Sequence, residues 1–192
     1  MNKFYSSRAF QFFAIVIISS LCVLLDILTK INFSKIELPK NRPEYNAQGV
    51  DGRVYNKSGK LVYKLTSNNA WEFPDDVRVF MQELELSVYE DKSDQVKYSV
   101  KSDDGWVNYN NLLGFLGKNV VITIFGLGMG KNITIYGDQI NLDMNKHYFD
   151  SDKPIKAIQE QNTLSSTGFS YDSERQLLTL NSKVKVVYFY NR

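Results

Sequence analysis

Apolar and polar side chains alternate residue by residue along most of this chain after residue 60, and that period fits only strands half buried in a sheet. Leu61, Tyr63 and Leu65 oppose Val62, Lys64 and Thr66. Leu84, Leu86 and Val88 alternate with Glu83, Glu85 and Ser87, as Val96, Tyr98 and Val100 do with Lys97, Ser99 and Lys101. Ile140, Leu142 and Met144 repeat the pattern, and so do Leu178, Leu180, Val184, Val186, Tyr188 and Tyr190. The run Val120 to Phe125 is apolar on both faces. Turn-forming clusters separate these runs: Asn56 to Gly59, Asp103-Asp104-Gly105, Gly117-Lys118-Asn119, Gly126 to Gly130, Tyr136-Gly137-Asp138 and Asp172-Ser173. Their spacing of about 8–20 residues predicts antiparallel strands joined by hairpins. No stretch after residue 29 carries a stripe of period 3.6, which argues against βαβ folds and leaves a jelly roll or an open sandwich.

A second feature is the uncharged run from Ala9 to Leu25, extended by Ile27 and Leu28 past Asp26. Twenty helical residues rise ~30 Å, the thickness of a bilayer's hydrocarbon core, whereas a signal-peptide core is ~7–15 residues. With no small-x-small site after it, residues 9–28 are expected to be an uncleaved transmembrane helix. Lys3 and Arg8 on one side and Lys30, Lys35, Lys40 and Arg42 on the other leave the charge count undecided on orientation. A short tail before the helix and a globular domain after it place that domain outside the cytoplasm. The expected organisation is residues 1–28 as tail and anchor, 29–51 as a linker with Pro39 and Pro43, and 52–192 as one β domain.

Chemistry is hard to find in that domain. Residues 1–45 carry six Lys and Arg against three Asp and Glu, and the rest is nearly balanced, seventeen against eighteen. Without a clustered cationic excess, nucleic acid is not the expected partner. Cys22 is the single cysteine and lies in the apolar run, so neither a disulfide nor a thiolate metal site is expected. His147 is the single histidine, in a polar turn, and no catalytic triad can be assembled around it. Asp150 and Asp152 read as a solvated turn beside Pro154. The run Gly126 to Asn132 is like a phosphate loop, but only three residues separate Gly126 from Gly130, and Asn132 stands where Ser or Thr would hold magnesium. A hairpin is the better reading. No catalytic residue, metal or cofactor is expected, which leaves a lipid-binding or protein-binding role.

Three stretches resemble the LptC family, the bitopic inner-membrane component of lipopolysaccharide export. They are Tyr55 to Leu65, with its Tyr, Gly, Tyr and Leu spacing; Ile133 to Leu142 leading to Ser151-Asp152-Lys153-Pro154-Ile155; and Ser166-Thr167-Gly168-Phe169 followed by Leu178 to Tyr188. The resemblance implies a twisted β-jelly roll of the OstA/LptA type in the periplasm, behind one transmembrane helix in the inner membrane. It implies a groove for lipopolysaccharide acyl chains between two sheets. It also implies two partners: an inner-membrane ABC transporter at the N-terminal strand edge and a periplasmic LptA-like bridge protein at the C-terminal edge.

Alternation assigns inward side chains, and Tyr63, Leu65, Phe80, Leu84, Leu86, Tyr98, Val100, Phe115, Ile140 and Leu142 are expected to line the groove. Arg53, Val54 and Tyr55 are expected at the transporter edge. Gly168, in a turn before the last strands, and Val184, Val186 and Tyr188, in a strand that nothing later covers, are expected at the bridge edge. From pattern alone an internal last strand is equally acceptable. The alternative function is a membrane-anchored periplasmic scaffold for envelope assembly, with a closed core and no lipid ligand.

Overall fold

The computed structural model describes Leu25 and residues 42–90, 95–126 and 131–189. The proposed membrane span lies outside the described residues apart from Leu25, and no helix among the described residues is long and apolar enough to cross a membrane. The chain divides into two compact units, residues 1–37 and 38–192, and the second contains every strand among the described residues.

The strands are β1 (Tyr45–Tyr55), β2 (Leu61–Glu72), β3 (Arg78–Tyr89), β4 (Val96–Asn108), β5 (Leu113–Leu116), β6 (Val120–Gly126), β7 (Lys131–Gly137), β8 (Ile140–Asp143), β9 (Tyr148–Gln159), β10 (Asn162–Asp172) and β11 (Leu177–Val187). Every pairing is antiparallel. The all-β expectation therefore holds. β1 begins inside the stretch read as linker, because its side chains are mostly exposed and, apart from Val50 packed against the core, it is held by the backbone ladder to β2, so no hydrophobic alternation marks it.

Seven long strands, β1 to β4 and β9 to β11, cross the whole molecule, and between β4 and β9 the connection differs at the two ends. At one end β4 pairs with β6, β6 with β7 and β7 with β9. At the other β4 pairs with β5, β5 with β8 and β8 with β9. The sheet is thus two leaves sharing their long strands, a hairpin leaf containing β6 and β7 and a short-strand leaf containing β5 and β8. The leaves fold over each other: Tyr98 of the hairpin leaf meets Phe149 of the short-strand leaf edge-to-face, ring centroids 5.1 Å apart.

A line of backbone irregularities marks the fold. Gly49, Glu83, Gly168 and Lys183 adopt positive φ in the middles of their strands, at 63°, 50°, 79° and 50°. Beside it, four buried serines bridge the bend. Ser67 Oγ donates to the Gln82 carbonyl at 2.8 Å, Ser102 Oγ to that of Lys118 at 3.0 Å, Ser151 Oγ to that of Gln139 at 2.9 Å and Ser166 Oγ to that of Gly168 at 2.9 Å. Each supplies a donor to a carbonyl in the bent segment, which would otherwise be short of partners.

The bend changes which residues face inward. In β3 the buried positions run Met81, then Leu84, Leu86 and Val88, so parity slips at Gln82-Glu83. β10 slips in the same way between Ser166 and Phe169. Two turn assignments are thereby corrected: Asp103-Asp104-Gly105 lies within β4 and Gly168 within β10, because turn-type residues here serve the mid-strand bend. Asp150 and Asp152 likewise belong to β9, where ladder bonds to β10 and β8 outweigh their turn propensity. The hairpin expected near Gly126 is present, with Ile124 opposite Ile133; residues 127–130 are outside the described ones.

Candidate functional site

Between the leaves the side chains are almost wholly aliphatic and aromatic, but the filling is uneven. At one end Tyr98, Phe149 and Phe169 have no exposed surface and Tyr171 has 1%. Burial pushes the Tyr171 phenol up to about 12 and the Tyr98 phenol higher still, since either phenolate would sit away from water. His147 approaches this end, its Nδ1 3.2 Å from the Tyr98 hydroxyl oxygen. The lone histidine is thus a ring at the margin of a packed core.

At the other end the leaves part around a cleft of about 290 Å³. The hairpin leaf contributes Tyr63, Leu65, Leu84 and Leu86, and the short-strand leaf Met81, Val107, Leu116, Leu142 and Met144. Val54, Tyr109 and Leu112 stand at its exposed mouth, where Tyr109 donates a 3.1 Å hydrogen bond to Glu72. No ionisable side chain other than these tyrosines borders the cleft, so an apolar guest would leave no buried charge unpaired. The volume is roughly twice that of the apolar ~150 Å³ cavity that takes one benzene.

Of the ten residues expected to line a groove, Tyr63, Leu65, Leu84, Leu86, Phe115 and Leu142 border the cleft. Tyr98, Val100 and Ile140 face inward too but are fully buried in the packed part. Phe80 is a correction. Phe80 pairs across the sheet with Trp71 and Trp106, and Trp106 with Phe115, so all four side chains share the outer face of the short-strand leaf. Parity carried from Leu84 back to Phe80 crosses the slip at Glu83 and so picks the wrong face. The same slip hid Met81 and Val107, which a phase change at the Asp103-Asp104-Gly105 signal would have located. Phe115 borders the cleft, while Leu116 and Gly114 are the buried, core-facing positions of β5.

Both ends of the sheet are bare. Among the described residues β1 pairs only with β2, and β11 only with β10. Arg53, Val54 and Tyr55 are exposed on β1, and Arg53 is held along the strand by Asp51 at 3.0 Å, which keeps the Asp51 carboxyl below its usual range. Val184 and Val186 are exposed on β11 and Tyr188 just beyond it. Gly168 acts from β10: a Cβ there would lie 2.7 Å from the Asn181 amide nitrogen of β11. No cluster of groups suited to a metal ion occurs among the described residues.

A folded-over antiparallel sheet with an apolar cleft between its leaves defines a jelly-roll-like β domain. Its fold is shared by a solved structure of LptH, the LptA-homologous periplasmic component of the lipopolysaccharide transport device of Pseudomonas aeruginosa, with a TM-score of 0.54 and 12% identity over 67% of this chain and 95% of that one. The LptC family model, described as lipopolysaccharide-assembly, LptC-related, matches residues 12–189, and the chain belongs to that family. The lipopolysaccharide export system protein LptC of Escherichia coli K12 is 26% identical over 132 residues, 67% of this chain and 69% of that protein. The protein of the same name from Shigella flexneri matches to the same extent.

Proposed function

We propose that this chain is a non-enzymatic carrier in lipopolysaccharide transport, taking the lipid's acyl chains into the cleft between its leaves. The observation that carries the reading is the cleft itself, apolar on both walls and open at its mouth, in a member of the LptC family. Lipopolysaccharide would arrive from an inner-membrane ABC transporter docked along β1 and leave to a periplasmic LptA-like bridge protein paired with β11. Bare backbone donors and acceptors on both strands suit such strand addition. The apolar run at residues 9–28 would hold the domain at the inner membrane with its β domain in the periplasm. ATP hydrolysis would belong to the transporter's cytoplasmic subunits.

A photo-crosslinker at Leu86 or Met144 should capture lipopolysaccharide in an ATP-driven transport assay, and one at Lys101, on the outer face beside Glu85, should not. Equal capture at both sets would overturn the cleft assignment. Deleting residues 184–192 should abolish bridge-protein binding in a pull-down while leaving transporter binding intact, with Gly168→Arg giving the same split. Unchanged bridge binding by the folded truncation would falsify edge pairing.

A further inference from the structure

The outer faces of the two leaves have opposite character. On the hairpin leaf the cross-strand row Lys64, Ser87, Ser99, Thr123 and Thr134 is polar, as a solvated sheet face should be. On the short-strand leaf the equivalent row is Trp71, Phe80, Trp106 and Phe115. Trp71 and Phe80 lie 6.2 Å apart at 13° between planes, and Trp106 and Phe115 6.2 Å apart at 21°. All four rings keep part of their surface in solvent. Amides close both ends of the row, Asn46 opposite Trp71 and Asn141 opposite Phe115.

One side of the aromatic row is occupied by Arg78, whose guanidinium lies over Phe80 and Trp106 at 5.2 and 5.4 Å and is fixed by a 2.7 Å ion pair to Asp76. The other side opens into a groove of about 610 Å³. Along that side the next cross-strand row is Gln48, Asn69, Gln82 and Asp104. Asp104 is held in place: its Oδ1 accepts the Lys118 backbone N–H at 2.8 Å, and its carboxylate occupies space that a side chain at residue 117 would need, which Gly117 leaves free. Ring edges and faces form one wall, and Gln82, the fixed Asp104 carboxylate, Asp103 and Lys118 the other.

We propose that this groove binds the pyranose rings of an oligosaccharide. A sugar ring has an apolar C–H face that stacks on an aromatic ring and a rim of hydroxyls that seeks amide and carboxylate partners, and the two parallel rows offer both. An acyl chain would desolvate Gln82 and Asp104 without replacing their hydrogen bonds. A polyphosphate would meet two carboxylates, Asp103 and Asp104, against the single cation Lys118 of the groove. The groove opens on the outer face of the short-strand leaf, shares only Met81, Trp106 and Phe115 with the cleft's border, and does not rest on its lipid reading.

Trp71 and Trp106 are the two tryptophans of the chain, and because Trp106 also borders the cleft, a decanoate titration is needed to separate the cleft's share of the emission from that of the row. Full-length protein in phosphatidylcholine nanodiscs would be titrated with core oligosaccharide freed from lipid by mild acid hydrolysis of lipopolysaccharide, and separately with decanoate. The expected result is a saturable emission change with oligosaccharide, Kd tighter than about 1 mM. Asp104→Asn should weaken it about tenfold, the scale of losing a hydrogen bond to a charged group. Gln82→Ala, at an exposed position, should weaken it in the same direction, and Lys101→Ala should leave it unchanged. No response to oligosaccharide at several millimolar overturns the proposal, as an aromatic row covered by another segment or by a partner protein would give. A response to decanoate alone also overturns it, because the tryptophans would then be sensing the cleft. Oligosaccharide binding alongside failed lipid capture at Leu86 leaves this site standing and removes only the carrier reading.

Discussion

The two ends of the space between the leaves are built from the same kinds of residue, yet one is sealed and the other open. At the sealed end Phe149 meets Tyr98 from the opposite leaf and stacks on Tyr171 at 6.3 Å, and Phe169 is fully buried as well. At the open end Leu86 and Leu65 face Leu142 and Met144 across a gap that the Tyr63 ring on its wall leaves open. The difference teaches that stability and function can be assigned to separate parts of one apolar interior. The aromatic end holds the leaves together by burial, at ~25 cal/mol for each Å² removed from water, and the aliphatic end can remain parted for a guest.

The largest expected effect is at the sealed end. Phe149→Ala should destabilise the domain by about 3–5 kcal/mol in chemical denaturation, since both the ring's burial and its contacts to Tyr98 and Tyr171 vanish. A loss below about 1 kcal/mol would show that the sealed end is not what holds the leaves.

Alkaline titration tests the same end without mutation. Tyr171 is raised from 10 to about 12 in the folded protein by burial, so the folded state keeps a proton that the unfolded chain releases. Its contribution is complete below pH 10 and is lost as pH rises from 10 through about 12, on the order of 2 kcal/mol. Tyr98, shifted the same way, adds to the loss. Thermal melts between pH 8 and 11.5 should therefore be flat to about pH 9.5 and fall beyond it, with the fall reduced in Tyr171→Phe; a flat curve throughout would remove the burial argument.

Gly105→Ala probes the boundary where the leaves come together. The added Cβ would lie 2.6 Å from the Phe115 carbonyl oxygen and 2.8 Å from Leu84 Cδ2, and about 1–3 kcal/mol of overpacking follows. Differential scanning calorimetry should show the loss, together with weaker lipid capture at Leu86 as the leaves shift.

The smallest stability effect belongs to the mouth. Leu112→Ala should change stability by less than about 1 kcal/mol, because Leu112 is 40% exposed, while reducing lipid capture in the transport assay. Equal losses in Leu112→Ala and Phe149→Ala would erase the distinction between the two ends.

Much of this is written in single residues and short runs. Alternation at Leu84, Leu86 and Val88 or at Ile140 and Leu142 follows from the two-residue repeat of a strand, a local property, and it placed those side chains inward correctly. Runs without a helical stripe determined the all-β class, and one histidine and one cysteine exclude sites within the chain that need two of either. The resemblance of Tyr55 to Leu65 and of Ser166 to Tyr188 to the LptC family was likewise legible.

Only the tertiary structure decided which face a residue takes on the far side of the bend. Phe80 and Leu84 share parity in sequence and lie on opposite faces, because Glu83 at φ 50° inserts a half-turn of phase that nothing local announces. Gly168 and Asp103-Asp104-Gly105 carry turn chemistry, and whether such residues end a strand or bend it depends on whether neighbouring strands continue the ladder past them. That β11 is an edge, and that Trp71, Phe80, Trp106 and Phe115 form one row, depends on strand order and register. These are set by contacts between residues far apart in the chain, where no short-range pattern reaches.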